Sequence, residues 1–129
     1  MPYTLRVADD RRYITLKFEG TSGRPEFQGV LDAHALGAKL GIRSYLVDLT
    51  DAVNPDTATD DYQLAYADFP ANTAIDRFAK VVALVSPGDR SHDFLVTVFR
   101  NAGFRIDRYE DRAAALRELE SGPSPESPR

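Results

Sequence analysis

Tyr45-Leu46-Val47-Asp48-Leu49 and Phe78-Ala79-Lys80-Val81-Val82-Ala83-Leu84-Val85 are near-continuous apolar runs. Runs of this length and composition are how central parallel strands covered on both faces read. Between them Ala58, Tyr62, Ala65, Tyr66 and Phe69 recur at helical spacing, and Pro70 follows as a stop. Strand, helix and strand in that order make a crossover unit, so the chain is expected to be an α/β domain built on a parallel core.

Working toward the N-terminus, Tyr13-Ile14-Thr15-Leu16-Lys17-Phe18 alternates strictly, with Ile14, Leu16 and Phe18 on one face. Tyr3, Leu5 and Val7 have the same period, and the short polar stretch 8–12 between them predicts an antiparallel hairpin. After Gly20-Thr21-Ser22-Gly23 the period changes to a helical one from about Pro25 to Leu40. Phe27, Val30, His34 and Ala38 lie on one side of it, and Gln28, Asp32 and Lys39 lie opposite. Pro25 suits the first turn and Gly41 the C-terminal cap. Toward the C-terminus, Ser91 to Ala102 predicts a third helix with Phe94, Leu95, Val98 and Phe99 as its apolar face, ended by Gly103. Arg105-Ile106-Asp107-Arg108-Tyr109 reads as a polar edge strand. Asp111 then caps a last helix from Ala113 to Glu120 that covers the sheet with Leu116 and Leu119. The proline-rich stretch 121–129 is expected to be a disordered tail after a single domain over 1–120. The expected order is ββαβαβαβα, a mixed five-stranded sheet that opens with a β-hairpin and carries helices packed on it.

The hairpin opening, the segment Val47-Asp48-Leu49-Thr50, the strand Lys80-Val81-Val82-Ala83-Leu84-Val85 and the ending Tyr109-Glu110-Asp111-Arg112-Ala113-Ala114-Ala115-Leu116-Arg117-Glu118-Leu119 resemble the STAS-like superfamily, in its SpoIIAA-like branch, over about residues 3 to 120. Bacterial regulatory domains of that kind carry an Asp-Leu at a strand end, and further on an Asp-Ser pair whose serine opens a helix and is phosphorylated. The resemblance puts Asp48-Leu49 at the first place and Asp56-Thr57 at the second, so it implies Thr57 as a phosphoacceptor. Pro55 before the pair and Ala58-Thr59 after it depart from the pattern, and Asp60 and Asp61 would repel an added phosphate. Without phosphorylation, Asp56 or Thr57 reads as the helix cap, with Asp60 completing a capping box if Thr57 is the cap. SEC14-type lipid-binding domains share the architecture, and that similarity makes a small apolar or lipid-like ligand thinkable.

Composition narrows the function classes. The 129 residues include 43% apolar and 28% charged residues, an ordinary globular mixture. The net charge is −4, and the arginines are scattered instead of forming a basic stripe, which argues against nucleic acid as a partner. With no cysteine there is no thiolate nucleophile and no sulfur zinc site, and two histidines are a poor supply for an imidazole site. No metal and no cofactor is expected. No apolar run approaches the ~20 residues that span a bilayer, and the N-terminal residues lack a signal pattern, so the expected location is cytoplasmic. Asp48, Asp51, Asp56, Asp60, Asp61 and Asp68 make the middle third acidic, and they read as caps and solvated carboxylates.

Three further places hold chemistry. Tyr62, Tyr66 and Phe69 on the second helix face the apolar residues of the first and suggest ordinary core, an apolar pocket or a dimer face. His34 sits on an apolar helix face, where it reads as a core or interface histidine. In Ser86-Pro87-Gly88-Asp89-Arg90-Ser91-His92 one glycine is too few for a phosphate cradle. That loop predicts Asp89 or Ser91 as a cap and His92 on the surface, or a weak anion or polar-ligand site made of Ser91, Arg90 and His92. The leading expectation is a non-catalytic binding or regulatory domain acting through protein association, a homodimer included, or through a small apolar or anionic ligand. A Thr57-dependent switch of the anti-sigma-factor-antagonist type and a small enzyme are the alternatives.

Overall fold

The computed structural model describes residues 3–23 and 26–120. The expected fold is present: an α/β domain with a five-stranded mixed sheet in the order β1-β2-β3-β4-β5, in which only β1 is antiparallel to its neighbour. β1 (Tyr3–Val7) and β2 (Ile14–Thr21) form the hairpin, followed by β3 (Ser44–Val53), β4 (Lys80–Leu84) and β5 (Arg105–Tyr109). The helical elements are α1 (Phe27–Leu40), α2 (Ala58–Gln63), a π-helical turn (Leu64–Asp68), α3 (Phe69–Ala71), α4 (Asp93–Asn101) and α5 (Arg112–Glu120). Pro25 and the stretch 121–129 lie outside the described residues.

Parallel strands that are neighbours in sequence as well as in space send every right-handed crossover to the same face. That face carries α1, the α2 to α3 segment and α4, packed on Ile14, Leu16, Phe18, Tyr45, Leu49, Ala83 and Ile106. The opposite face is left to α5, whose Ala115 and Leu119 bury Leu46, Val82 and Leu84. Between the paired positions Lys17↔Asp48 and Glu19↔Asp51, β3 holds one residue more than β2. This bulge moves the inward positions of β3 from Tyr45, Val47 and Leu49 to Ala52.

Four differences from the sequence expectation each have a local reason. β4 begins at Lys80, because Asp76 takes the Phe78 amide in a turn (3.0 Å) and leaves that ring 68% exposed. β3 continues to Val53, so Asp48 sits within the strand and not at its end. On α1 the buried stripe is Gly29, Ala33, His34 and Gly37, while Ala38 is exposed. Glycines let the helix axis approach the sheet, so the smallest residues mark the contact line more than the largest do. Gly41 ends α1 in the left-handed conformation (φ 73°), as expected.

The fourth difference is the second helix, which does not stop at Pro70. Proline there has no amide for the carbonyl four residues back and its ring would strike that carbonyl. The chain instead widens into the π-helical turn, with the Phe69 amide donating to the Leu64 carbonyl, and passes through Pro70 to Ala71. The buried positions are Asp61, Leu64 and Ala65; Tyr62 and Tyr66 are 50% and 51% exposed. Asp61 tolerates burial by accepting from Asn54 Nδ2 (3.3 Å). Thr57 is the N-cap of α2 in a complete capping box: its hydroxyl accepts the Asp60 amide, and Asp60 accepts the Thr57 amide.

Candidate functional site

Between the helical layer and the sheet lies a cavity of about 120 Å³ with almost wholly apolar walls. Its floor is Leu16, Phe18, Tyr45, Val47, Leu49, Val81 and Ala83 of the central strands. One end is closed by aromatic rings: Phe69 lies 4.6 Å from Phe99 and 5.5 Å from Phe104, both edge-on, and 5.2 Å from Phe27. Edge-to-face packing holds such rings in fixed orientations, so this wall is built, not fluid. The π-helical turn puts Phe69 there, and Leu64 beside it.

The apolar wall is interrupted by Glu26, whose Oε1 is buried without a partner among the described residues, and by two histidine corners. At the first, His34 projects from α1, is 7% exposed and lies 4.6 Å from the Tyr45 ring. Its Nδ1 accepts the Asp76 amide (3.1 Å), and Asp76 is itself held by the Arg43 guanidinium at 2.5 and 2.9 Å. An amide donor on Nδ1 requires that nitrogen to be bare, so the neutral ring carries its hydrogen on Nε2. That N–H has no partner among the described residues. Burial pushes the His34 pKa down against the pull of Asp76, which keeps the ring neutral.

At the second corner His92, 1% exposed, precedes α4 and faces Ser22, which follows β2. Ser22 Oγ is 2.8 Å from His92 Nε2, and Asp89 Oδ2 is 3.5 Å from His92 Nδ1. A carboxylate oxygen only accepts, so the hydrogen of the neutral ring belongs on Nδ1, and the Ser22 hydroxyl donates to Nε2. Burial lowers the His92 pKa; Asp89 and Asp93 oppose this and Arg108 reinforces it. Asp89 is fixed by the Ser91 amide, which donates to its Oδ1 (2.9 Å), and is held below the usual carboxylate range chiefly by that bond.

The sequence-derived candidates therefore divide. His34, Phe69 and His92 meet on one cavity; Tyr62 and Tyr66 lie outside it, stacked 5.9 Å apart, with Phe94 5.7 Å from Tyr62. His92 is buried, not a surface residue: the loop turns it inward, where Ser22 satisfies one nitrogen. Arg90 pairs with Asp93, whereas the Ser91 hydroxyl accepts the Asn54 amide (3.1 Å) and lies 3.4 Å from His92 Nδ1, behind the ring that lines the cavity. Thr57 is exposed and also absent from the cavity wall. Asp48, matched above to a phosphorylation motif, is 3% exposed and serves the opposite face, with Arg112 at 3.0 Å and the Thr50 hydroxyl at 2.7 Å. Burial raises its pKa, but the Thr50 and Arg112 donors outweigh that and leave it lowered.

Sequence reading missed Ser22, because Thr21-Ser22-Gly23 looks like a turn and its histidine is 70 residues away. Among the described residues no helix is long and apolar enough to cross a membrane, and no group of three His, Asp or Glu side chains is placed to hold a metal ion. Compared with known proteins, the chain matches no family model and no curated protein.

Proposed function

We propose that this chain is a STAS-like binding domain whose ligand occupies the cavity beneath α1. The observation that carries this reading is the apolar cavity, with His34 in its wall. The His34 Nδ1 is taken by the Asp76 amide, which leaves the Nε2 N–H to donate to an acceptor atom of a ligand. An apolar cavity of ~150 Å³ takes up benzene. A space of about 120 Å³ therefore suits a compact, mostly apolar molecule with one hydrogen-bond acceptor; a long acyl chain would require it to expand.

Acetophenone, a ring with a carbonyl, and benzene, a ring without one, are direct probes. Acetophenone is expected to bind more tightly and to shift the amide NMR signals of cavity residues. At a free concentration 100 times its Kd it should stabilise the fold by about 2.7 kcal/mol. Ala83→Leu, which fills the floor, should remove binding of both probes, and His34→Leu should erase the preference for acetophenone. Amide shifts confined to the neighbourhood of Tyr62, Tyr66 and Phe94 would defeat the cavity reading.

A second reading, protein association, is favoured by that exposed cluster of Tyr62, Tyr66 and Phe94. Adjacent exposed aromatic rings are typical of contact surfaces. Native mass spectrometry of the same samples would show a dimer that Tyr66→Glu dissociates and Ala83→Leu does not.

A further inference from the structure

We propose that Ser22 is an acyl-transfer nucleophile, with His92 as its general base and Asp89 as the residue that positions the base. The proposal rests on reading the cavity as a ligand site and names what enters it: small esters with an apolar acyl or aryl part.

The geometry is that of a nucleophile, a base and an orienting carboxylate. Ser22 Oγ to His92 Nε2 is a full hydrogen bond at 2.8 Å, and the far ring nitrogen has Asp89 Oδ2 at 3.5 Å and Ser91 Oγ at 3.4 Å, within the looser range of a site without substrate. Both Ser22 and His92 line the cavity, so a carbonyl held there meets the hydroxyl. Ser22 follows β2, and Asp89 and His92 follow β4, which places the group at the carboxyl ends of parallel strands, where ligands of α/β sheets bind. α1 starts five residues after Ser22, with Glu26 as its N-cap, and that carboxylate lines the cavity too, which favours neutral esters over anionic ones.

Ser22 Oγ attacks the ester carbon while its proton passes to His92 Nε2, and the carbonyl π pair moves to oxygen. As that pair returns, the carbon–alkoxy bond breaks and the leaving oxygen takes the proton from Nε2. Water then attacks the acyl-Ser22 carbonyl, giving its proton to His92. Ser22 departs with that proton, and a carboxylic acid is released.

The test uses the whole chain with 4-nitrophenyl acetate and diisopropyl fluorophosphate. The expected results are a burst of 4-nitrophenolate and a single adduct on Ser22 in both cases, located by peptide mass spectrometry. Ser22→Ala should abolish both adducts. His92→Gln should slow Ser22 modification by about 10³-fold or more. Asp89→Asn should slow it by roughly 10²-fold, with Asp89→Glu restoring part of the rate. Asp89→Asn should also move the acid limb of the pH profile lower, since a carboxylate that raises the His92 pKa is gone while Asp93 and Arg108 remain. Circular dichroism and acetophenone binding report whether each variant is folded. Acetophenone binding without any Ser22 adduct, or adduct rates unchanged in His92→Gln, would overturn the nucleophile while sparing the cavity. Failure of both binding and modification would overturn both, and a His92-dependent adduct on Ser22 supports the nucleophile even where acetophenone fails to bind.

Discussion

As pH falls from 7 toward 5 the unfolding free energy is expected to fall, because two buried histidines take up protons more readily in the unfolded chain. The two histidines are 7% and 1% exposed, and burial lowers the pKa of each below the ordinary 6.5. A histidine whose folded pKa is depressed binds more protons unfolded than folded. Its stabilisation is whole above the unfolded value and is lost as pH falls from there toward the folded one. Within that window each histidine contributes a slope of about 1.36 kcal/mol per pH unit. The structure shows why the rings resist protonation. A proton on His34 Nδ1 would face the Asp76 amide that now donates to it, and a proton on His92 Nε2 would displace the hydrogen bond from Ser22.

Asp48, Asp76 and Asp89 are held below the ordinary carboxylate value of 3.8, so their contributions are lost only at more acid pH. Asp61, raised by burial and by Asp56 and Asp60, works in the opposite sense, adding stability below 3.8 that is lost as pH rises through its folded value. Urea denaturation at half-unit pH steps separates the windows. His34→Gln and His92→Gln should each reduce the slope, and a stability flat from pH 7 to pH 5 would contradict the account.

Replacing Gly37 by valine is expected to cost about 3 kcal/mol, one of the largest losses available from a glycine in this chain. A Cβ on Gly37 would overlap the Tyr45 hydroxyl and stand 2.8 Å from the Ile42 carbonyl oxygen, which is backbone. Tyr45 cannot move aside easily: it is 3% exposed, packs on His34 and donates to Ile42 O at 3.4 Å, and burial pushes its pKa up to about 12. Overpacking of this kind typically costs 1–3 kcal/mol, and the gain in helix propensity from replacing glycine by valine is only a few tenths. Gly29 provides the contrast, since its nearest neighbour is the Tyr3 ring at 3.1 Å, on an edge strand that can yield. Gly29→Ala should therefore be near neutral, and Tyr45→Phe should return part of the Gly37→Val loss. Equal denaturation midpoints for Gly37→Val and the parent protein would refute the close approach.

Patterns that rest on one element were legible in the sequence. The alternation of Ile14, Leu16 and Phe18 gave β2 its inward face, the apolar runs gave β3 and β4, and Gly41 and Gly103 marked helix ends that do carry positive φ. What failed depended on tertiary partners. The second helix looks amphipathic through its tyrosines, yet Asn54 makes Asp61 the cheaper residue to bury. A proline that reads as a stop becomes a passage once a π-helical turn relieves it. The site was half legible. His34 and Phe69 were found by their position on apolar faces, whereas the Ser22 and His92 pair exists only because the sheet brings together the ends of two strands.

The strand order has a consequence for how the molecule assembles. Each strand lies next to its predecessor in the chain, so every pairing closes the shortest loop the topology permits, and loop-closure entropy and contact order are kept low. The hairpin can form first and the sheet can grow from it one crossover at a time. The bond from Ser22 to His92 is different, because it must wait until the chain beyond β4 has returned to the end of β2. The polar corner of the cavity is thus among the last parts to close during folding. By the same order in reverse, native-state hydrogen exchange should find it among the first to open, through a subglobal event that leaves β1 to β3 intact.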